Sequence, residues 1–163
     1  MKKTLFACVL IGALLQAAFA QDKFATYTND RFGFSIDYPE SVLTMQPAPD
    51  NDDGRTFRSA DGQVEMLVWG QHNALSKTLD ERYTMDLKGF TEKPTYMLLK
   101  RDWYVISGVK EGKIFYEKSL VRRKGGDVFF TVTIEYPASQ KTKFDPIVKK
   151  IADSFKFDPD PDA

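Results

Sequence analysis

Apolar positions recur along this chain with two periods, one of two residues and one of three to four. Over residues 33–39, Phe34, Ile36 and Tyr38 alternate with Ser35 and Asp37, the pattern of a strand with one buried face. Pro39 ends it, since proline offers no N–H to a ladder, and the residues before Gly33 read as a polar lead-in. Residues 47–54, PAPDNDDG, are all turn formers and predict a loop. Two strands follow from Arg55, split by Ser59-Ala60-Asp61-Gly62, where Asp-Gly suits a tight hairpin. In the second, Val64, Met66 and Val68 alternate with Glu65, Leu67 and Trp69, so apolar side chains on both faces predict a strand covered on both sides.

The period then lengthens. Thr78-Leu79-Asp80-Glu81 matches a capping box, and Leu75, Leu79, Tyr83, Leu87 and Phe90 form a helical stripe that Gly89 and Pro94 close. Residues 95–136 return to the shorter period as four β-rich runs, broken at Arg101-Asp102, at Glu111-Gly112 and at residues 124–127. The last is the clearest, with Val128, Phe130, Val132, Ile134 and Tyr136 opposed to Thr131, Thr133 and Glu135. Such short turns predict antiparallel pairing. A second helix is predicted to open with Asp145 as N-cap and Pro146 at the first position, burying Phe144, Ile147 or Val148, Ile151 and Phe155. Together these elements predict an α+β fold: an antiparallel β-sheet of about six or seven strands flanked by helices on both faces.

The ends carry different signals. Met1-Lys2-Lys3, an apolar run to Ala18 and the small-x-small string Ala18-Phe19-Ala20 read as a signal peptide over residues 1–20, cleaved after Ala20. The run is too short for a membrane span. That predicts a periplasmic or secreted protein with a single domain over residues 21–157 and no span after signal removal. Residues 158–163, an Asp-Pro repeat, have nothing to bury and predict a disordered acidic tail. Cleavage also changes the composition. The full chain has 23 basic and 23 acidic residues; losing Lys2 and Lys3 leaves the mature domain slightly acidic, which argues against nucleic acid or an anionic membrane surface as partner. Cys8, the only cysteine, leaves with the signal, excluding disulfides and thiol chemistry.

Three strings, the start Tyr27-Thr28-Asn29 running into GFSIDYPES, the hairpin-rich centre and the ending IADSFKF, resemble the Mog1/PsbP-like family over residues 27–157. The resemblance implies an α/β/α sandwich and a non-catalytic protein-binding or assembly role, here with a protein partner in the cell envelope; it carries over no site residue.

Candidate chemistry is sparse. His72, the only histidine, has no local nucleophile or carboxylate arrangement, so a hydrolase would need it in a deep cleft beside a carboxylate and a hydroxyl. Asp50-Asn51-Asp52-Asp53-Gly54 fails the EF-loop pattern, since Gly54 at position six puts Pro49 first and Ala60 twelfth; adventitious cation binding there, or a small ligand between sheet and helix, is the alternative to protein binding. Catalytic, cofactor and metal residues are therefore expected to be none. Aromatics are 13% of the chain and fall mostly at core spacing. The candidate partner surface comprises Trp69, Trp103 and Tyr104, wherever their outward face is left uncovered by a helix, together with the basic hairpin tip Arg122, Arg123 and Lys124.

Overall fold

The computed structural model describes residues 23–123 and 127–157. The expected signal segment, residues 21 and 22, Lys124 and the acidic tail lie outside the described residues. In chain order the elements are β1 (Phe24–Asn29), β2 (Phe34–Pro39), β3 (Thr44–Met45), β4 (Gly54–Arg58), β5 (Glu65–His72), α1 (Leu79–Gly89), β6 (Tyr96–Leu99), β7 (Trp103–Lys110), β8 (Lys113–Arg122), β9 (Val128–Pro137), α2 (Lys141–Ser154) and β10 (Lys156–Phe157). The main sheet is antiparallel and seven-stranded, in the order β3-β4-β5-β9-β8-β7-β6, and a second sheet has the order β1-β2-β10.

Alternation in the strands divides the interior into two cores. One face of the main sheet, with Met66, Val68, Phe130, Val132 and Ile134, packs against Phe144, Ile147, Val148 and Ile151 of α2 and against Phe34 and Ile36 of the small sheet. The other face, with Tyr104, Ile106, Phe115, Val121 and Phe129, packs beneath Leu79, Tyr83 and Leu87 of α1. The predicted α+β arrangement with a helix on each face is the one observed.

Local departures have local causes. The polar lead-in is strand β1, which pairs along its whole length with β2, Tyr27 opposite Ile36; its Thr-rich sequence hides a buried edge. Leu75 stands outside α1 and is 70% exposed, because Ser76 takes a positive φ and the capping box fixes Thr78 as N-cap, with Thr78 accepting from the Glu81 N–H and Glu81 accepting from the Thr78 N–H. β5 is covered on one side only: Leu67 is exposed and Trp69 half-buried, since α1 lies over β7, β8 and β9 and stops short of the β4–β5 end. α2 begins at Lys141, after a 3-10 turn over Ala138–Gln140, and holds Pro146 inside it. Neither Asp145 nor Pro146 starts the helix. Phe144 must already be helical to stack on Tyr136, 5.1 Å away, and Pro146, the sixth residue of the helix, leaves the Thr142 carbonyl without its usual N–H donor.

Candidate functional site

A groove of about 440 Å³ lies on the α2 face of the sheet, between β6, β7 and β8 and the outer flank of α2. Its floor follows from strand alternation. Trp103 and Val105 of β7 point to this face, and the register sets Val105 beside Lys118 and Ser107 beside Tyr116 on β8; Ile114 in turn lies opposite Tyr136 of β9. α2 buries its stripe over β8 and β9 and leaves the β6–β7 end of the sheet uncovered, so Tyr96, Trp103 and Tyr116 remain partly open to solvent.

Several polar groups of the groove are engaged within the fold. Lys118 Nζ donates to the Ala152 carbonyl at 2.5 Å, near the C-terminal end of α2 where unsatisfied carbonyls gather, and lies 5.7 Å from the Trp103 ring centre. Burial pushes the Lys118 ammonium below its ordinary value, opposed by Asp153. Burial raises the Tyr116 phenol well above its usual range. It lifts the Tyr136 phenol to about 12, with Asp145 adding to the effect; Tyr136 donates to Asp145 at 3.4 Å. On the rim, Lys141 pairs with Asp145 at 2.5 Å and Lys149 pairs with Asp153. Both phenols are thus neutral donors at physiological pH, set in an apolar floor under a rim of mixed charge. Such a surface suits burial of apolar side chains from a partner, with a few donors to fix their direction.

A second polar cluster lies on the opposite face, beneath α1. Arg82 donates through Nε to both oxygens of Asp86, at 3.1 and 2.9 Å, and Tyr104 donates to the same carboxylate. Glu117 of β8 adjoins them. Burial first, and the neighbouring Asp86 charge second, push its carboxyl up to about 7, and its Oε1 is buried without a hydrogen-bond partner. Ser119 and Thr131 hydrogen-bond to each other at 2.8 Å nearby, fully buried. This cluster fastens α1 to the sheet.

Of the six surface residues expected from the sequence, the five that are described are not brought together. Trp103 lines the groove. Trp69 is half-buried on the other face, in a groove of about 410 Å³ formed with Pro47, Pro49, Arg58 and Leu67. Tyr104 is fully buried: α1 covers it, so its outward face is not available to a partner. Arg122 donates to the Phe32 carbonyl at 3.3 Å and lies over the Phe130 ring, which commits it to the fold, whereas Arg123 is exposed and donates to Asp102 and to the Arg101 carbonyl. His72 is exposed at the end of β5, its ring 5.2 Å from that of Phe32; it lines a pocket of about 290 Å³ with Asn73, Lys77, Arg82 and Phe129, whose lining includes no carboxylate and no hydroxyl among the described residues. In the acidic loop, Asp52 pairs with Arg55 and Asp53 accepts from Asn51. Tyr96, Tyr116 and Tyr136 were hidden from sequence reasoning because each sits at ordinary core spacing; only the position of α2 decides which aromatics stay open.

No family model matches the sequence, and no curated protein matches it. Solved structures do. Cyanobacterial PsbP (CyanoP) from Synechocystis sp. PCC 6803 superposes with a TM-score of 0.60 at 12% identity, covering 94% of this chain and 99% of that one. The Ran-binding protein Mog1p of Saccharomyces cerevisiae superposes with a TM-score of 0.54 at 10% identity, covering 84% of this chain and 96% of that one. The shared architecture is the Mog1/PsbP-like fold. No helix among the described residues is long and apolar enough to cross a membrane.

Proposed function

We propose that this chain, a Mog1/PsbP-like domain, is a non-catalytic extracytoplasmic interaction module whose binding site is the aromatic groove beside α2. The observation that carries the reading is the open floor of Tyr96, Trp103 and Tyr116: large, rigid, partly polar side chains of the kind that anchor protein interfaces, left uncovered where the helix could have covered them. Mog1p, built on the same fold, is a Ran-binding protein, which supports a protein partner without naming one; fold alone does not fix function. The extracytoplasmic setting rests on the N-terminal pattern of basic, apolar and small residues.

A photo-crosslinking amino acid at Tyr96 tests this in intact cells of the source organism. A discrete adduct is expected from Tyr96 and none from Gln63, which sits at the β4–β5 turn on the far side of the sheet. Equal labelling from both positions, or no adduct from Tyr96, sinks the proposal. The volume of the groove supports a second reading, since about 440 Å³ falls in the range that holds small ligands. A thermal-shift screen of envelope metabolites would then raise the melting temperature, because a ligand that binds only the native state must stabilise it.

A further inference from the structure

Resting on that reading, we infer that the partner presents an extended segment with acidic residues at its ends, which adds as a strand to the free edge of β6 and drops alternate side chains into the aromatic groove. β6 ends the order of the main sheet and has a neighbour, β7, on one side only. Lys100 donates to the Trp103 carbonyl at 2.8 Å, which makes Lys100 and Trp103 a hydrogen-bonded pair; antiparallel ladders alternate such pairs with non-bonded ones. In the observed register Leu98 with Val105 and Tyr96 with Ser107 are therefore bonded, while Met97 with Ile106 and Leu99 with Tyr104 are not. The N–H and C=O groups of Met97 and Leu99 consequently point away from β7, toward the open edge.

Natural sheets blunt such edges with charge, proline, bulges or very short strands. The opposite edge follows that rule throughout: β3 is two residues long and runs into Pro47 and Pro49. At the β6 edge those devices stand only at the ends, with Pro94 and the Thr95 N–H that also reaches the Ser107 carbonyl before it and Lys100 after it, and the strand between them is open. Its four residues, Tyr-Met-Leu-Leu, are uncharged, and Tyr96, Met97 and Val109 make up three of the seven large apolar residues exposed among the described residues. An added strand would alternate its side chains between the two faces, one set meeting Tyr96 and the groove. That is the geometry of β-augmentation, in which the backbone supplies affinity and pockets for alternate side chains supply specificity.

Charge selects the occupant. Residues 92–102 carry Lys93, Lys100 and Arg101 against Glu92 and Asp102; Arg101 pairs with Asp102, whereas Lys93 and Lys100 are exposed at the two ends of β6 with no ion-pair partner among the described residues. Acidic flanks on an incoming strand would meet them. A second copy of β6 would not, because antiparallel pairing of two such segments brings Lys93 toward Lys100 or Arg101 of the other copy, and like charges across a ladder repel.

The test selects binders from a random twelve-residue peptide library displayed on phage, using the folded full domain, and then titrates the synthetic peptides. Expected peptides alternate apolar residues between Asp or Glu ends. Met97→Pro should weaken them at least tenfold, because it removes an outward N–H and leaves the β6–β7 ladder intact. As a second variant with no backbone effect, Lys93→Glu with Lys100→Glu should weaken acidic peptides and favour basic-ended ones. Undiminished binding to Met97→Pro with an unchanged Tyr96 adduct would overturn strand addition while leaving the interaction module standing. Loss of the adduct in Trp103→Ala but not in Met97→Pro would do the same. No enriched peptide, enriched peptides without acidic ends, or a dimer in sedimentation that Met97→Pro abolishes would each overturn the proposal.

Discussion

The Tyr104 hydroxyl donates to the Asp86 carboxylate, joining β7 to the middle of α1 through a bond that no water can easily replace, since the tyrosine is fully buried. Asp86 keeps the Arg82 Nε–H, shared between its two oxygens, when the phenol is removed, so Tyr104→Phe should not unfold the domain. It should cost about 1–2 kcal/mol, since the half-buried Asp86 carboxylate loses one donor and solvent can replace it only in part. Urea unfolding checks this: the midpoint should fall with an unchanged slope, because the surface exposed on unfolding is the same.

Glu117 gives the same face a pH dependence. Its carboxyl is held up to about 7 by burial and by Asp86, against an ordinary 4.5, so between those values the folded state holds a proton that the unfolded state has lost. Stability must then fall as pH rises through that window and stay lowered above it. The melting temperature of the wild type is expected to drop from pH 5 to pH 8. Glu117→Gln, neutral at every pH, should flatten that drop and melt higher than wild type at pH 8; a wild-type curve flat over the window would refute the assignment.

How much of this was legible in the sequence depended on how local each signal was. The hairpins β4–β5 and β6 through β9, the capping box of α1 and the stripe of α2 all lie within a few tens of residues, and each showed its period plainly. The β1–β2–β10 sheet did not, because β10 joins the chain's last described residues to Ser35 and Phe34 and β1 carries too few apolar residues to advertise a strand. The start of α2 was misjudged because Asp-Pro is a strong local signal, whereas the stacking of Phe144 on Tyr136 is a tertiary one. The polar cluster draws Arg82 and Asp86 from a helix, Tyr104 and Glu117 from two strands, and no spacing in the sequence links them. Trp103 lines the groove and Tyr104 lies buried under α1 for one reason: neighbours in a strand face opposite ways, and only the packed helix reveals which face is covered.

Gly54 tests the packing of the β4 end. A Cβ built on it would lie 2.0 Å from the Val68 carbonyl oxygen and 2.7 Å from the Trp69 Cα, both backbone atoms of the paired strand. Backbone cannot step aside as a side-chain tip can, so β4 and β5 would have to separate. Gly54→Ala should cost at least the 1–3 kcal/mol typical of an overpacked site and speed amide exchange in β4 and β5 well beyond that in β7 and β8. Gly62→Ala makes a useful contrast: nothing lies within 4 Å of its added Cβ, yet its φ of +67° disfavours any side chain, so its smaller loss would be purely conformational.

Lys118 links the groove to the stability of the helix beside it. Its ammonium reaches the Ala152 carbonyl at the helix end where the backbone dipole favours a positive charge, while its stem runs past Trp103. Lys118→Met keeps the apolar stem and removes only the donor, so the loss is expected at about 1–2 kcal/mol, with faster amide exchange confined to the last turn of α2. The exposed pair Lys149 and Asp153 provides the comparison: Lys149→Met removes a charge of equal size one turn away, but in solvent, and should change stability by less than about 0.5 kcal/mol. If the two variants lose the same amount, the carbonyl contact contributes nothing beyond surface charge, and the groove floor owes its order to the apolar packing of Val148 and Ala152 alone.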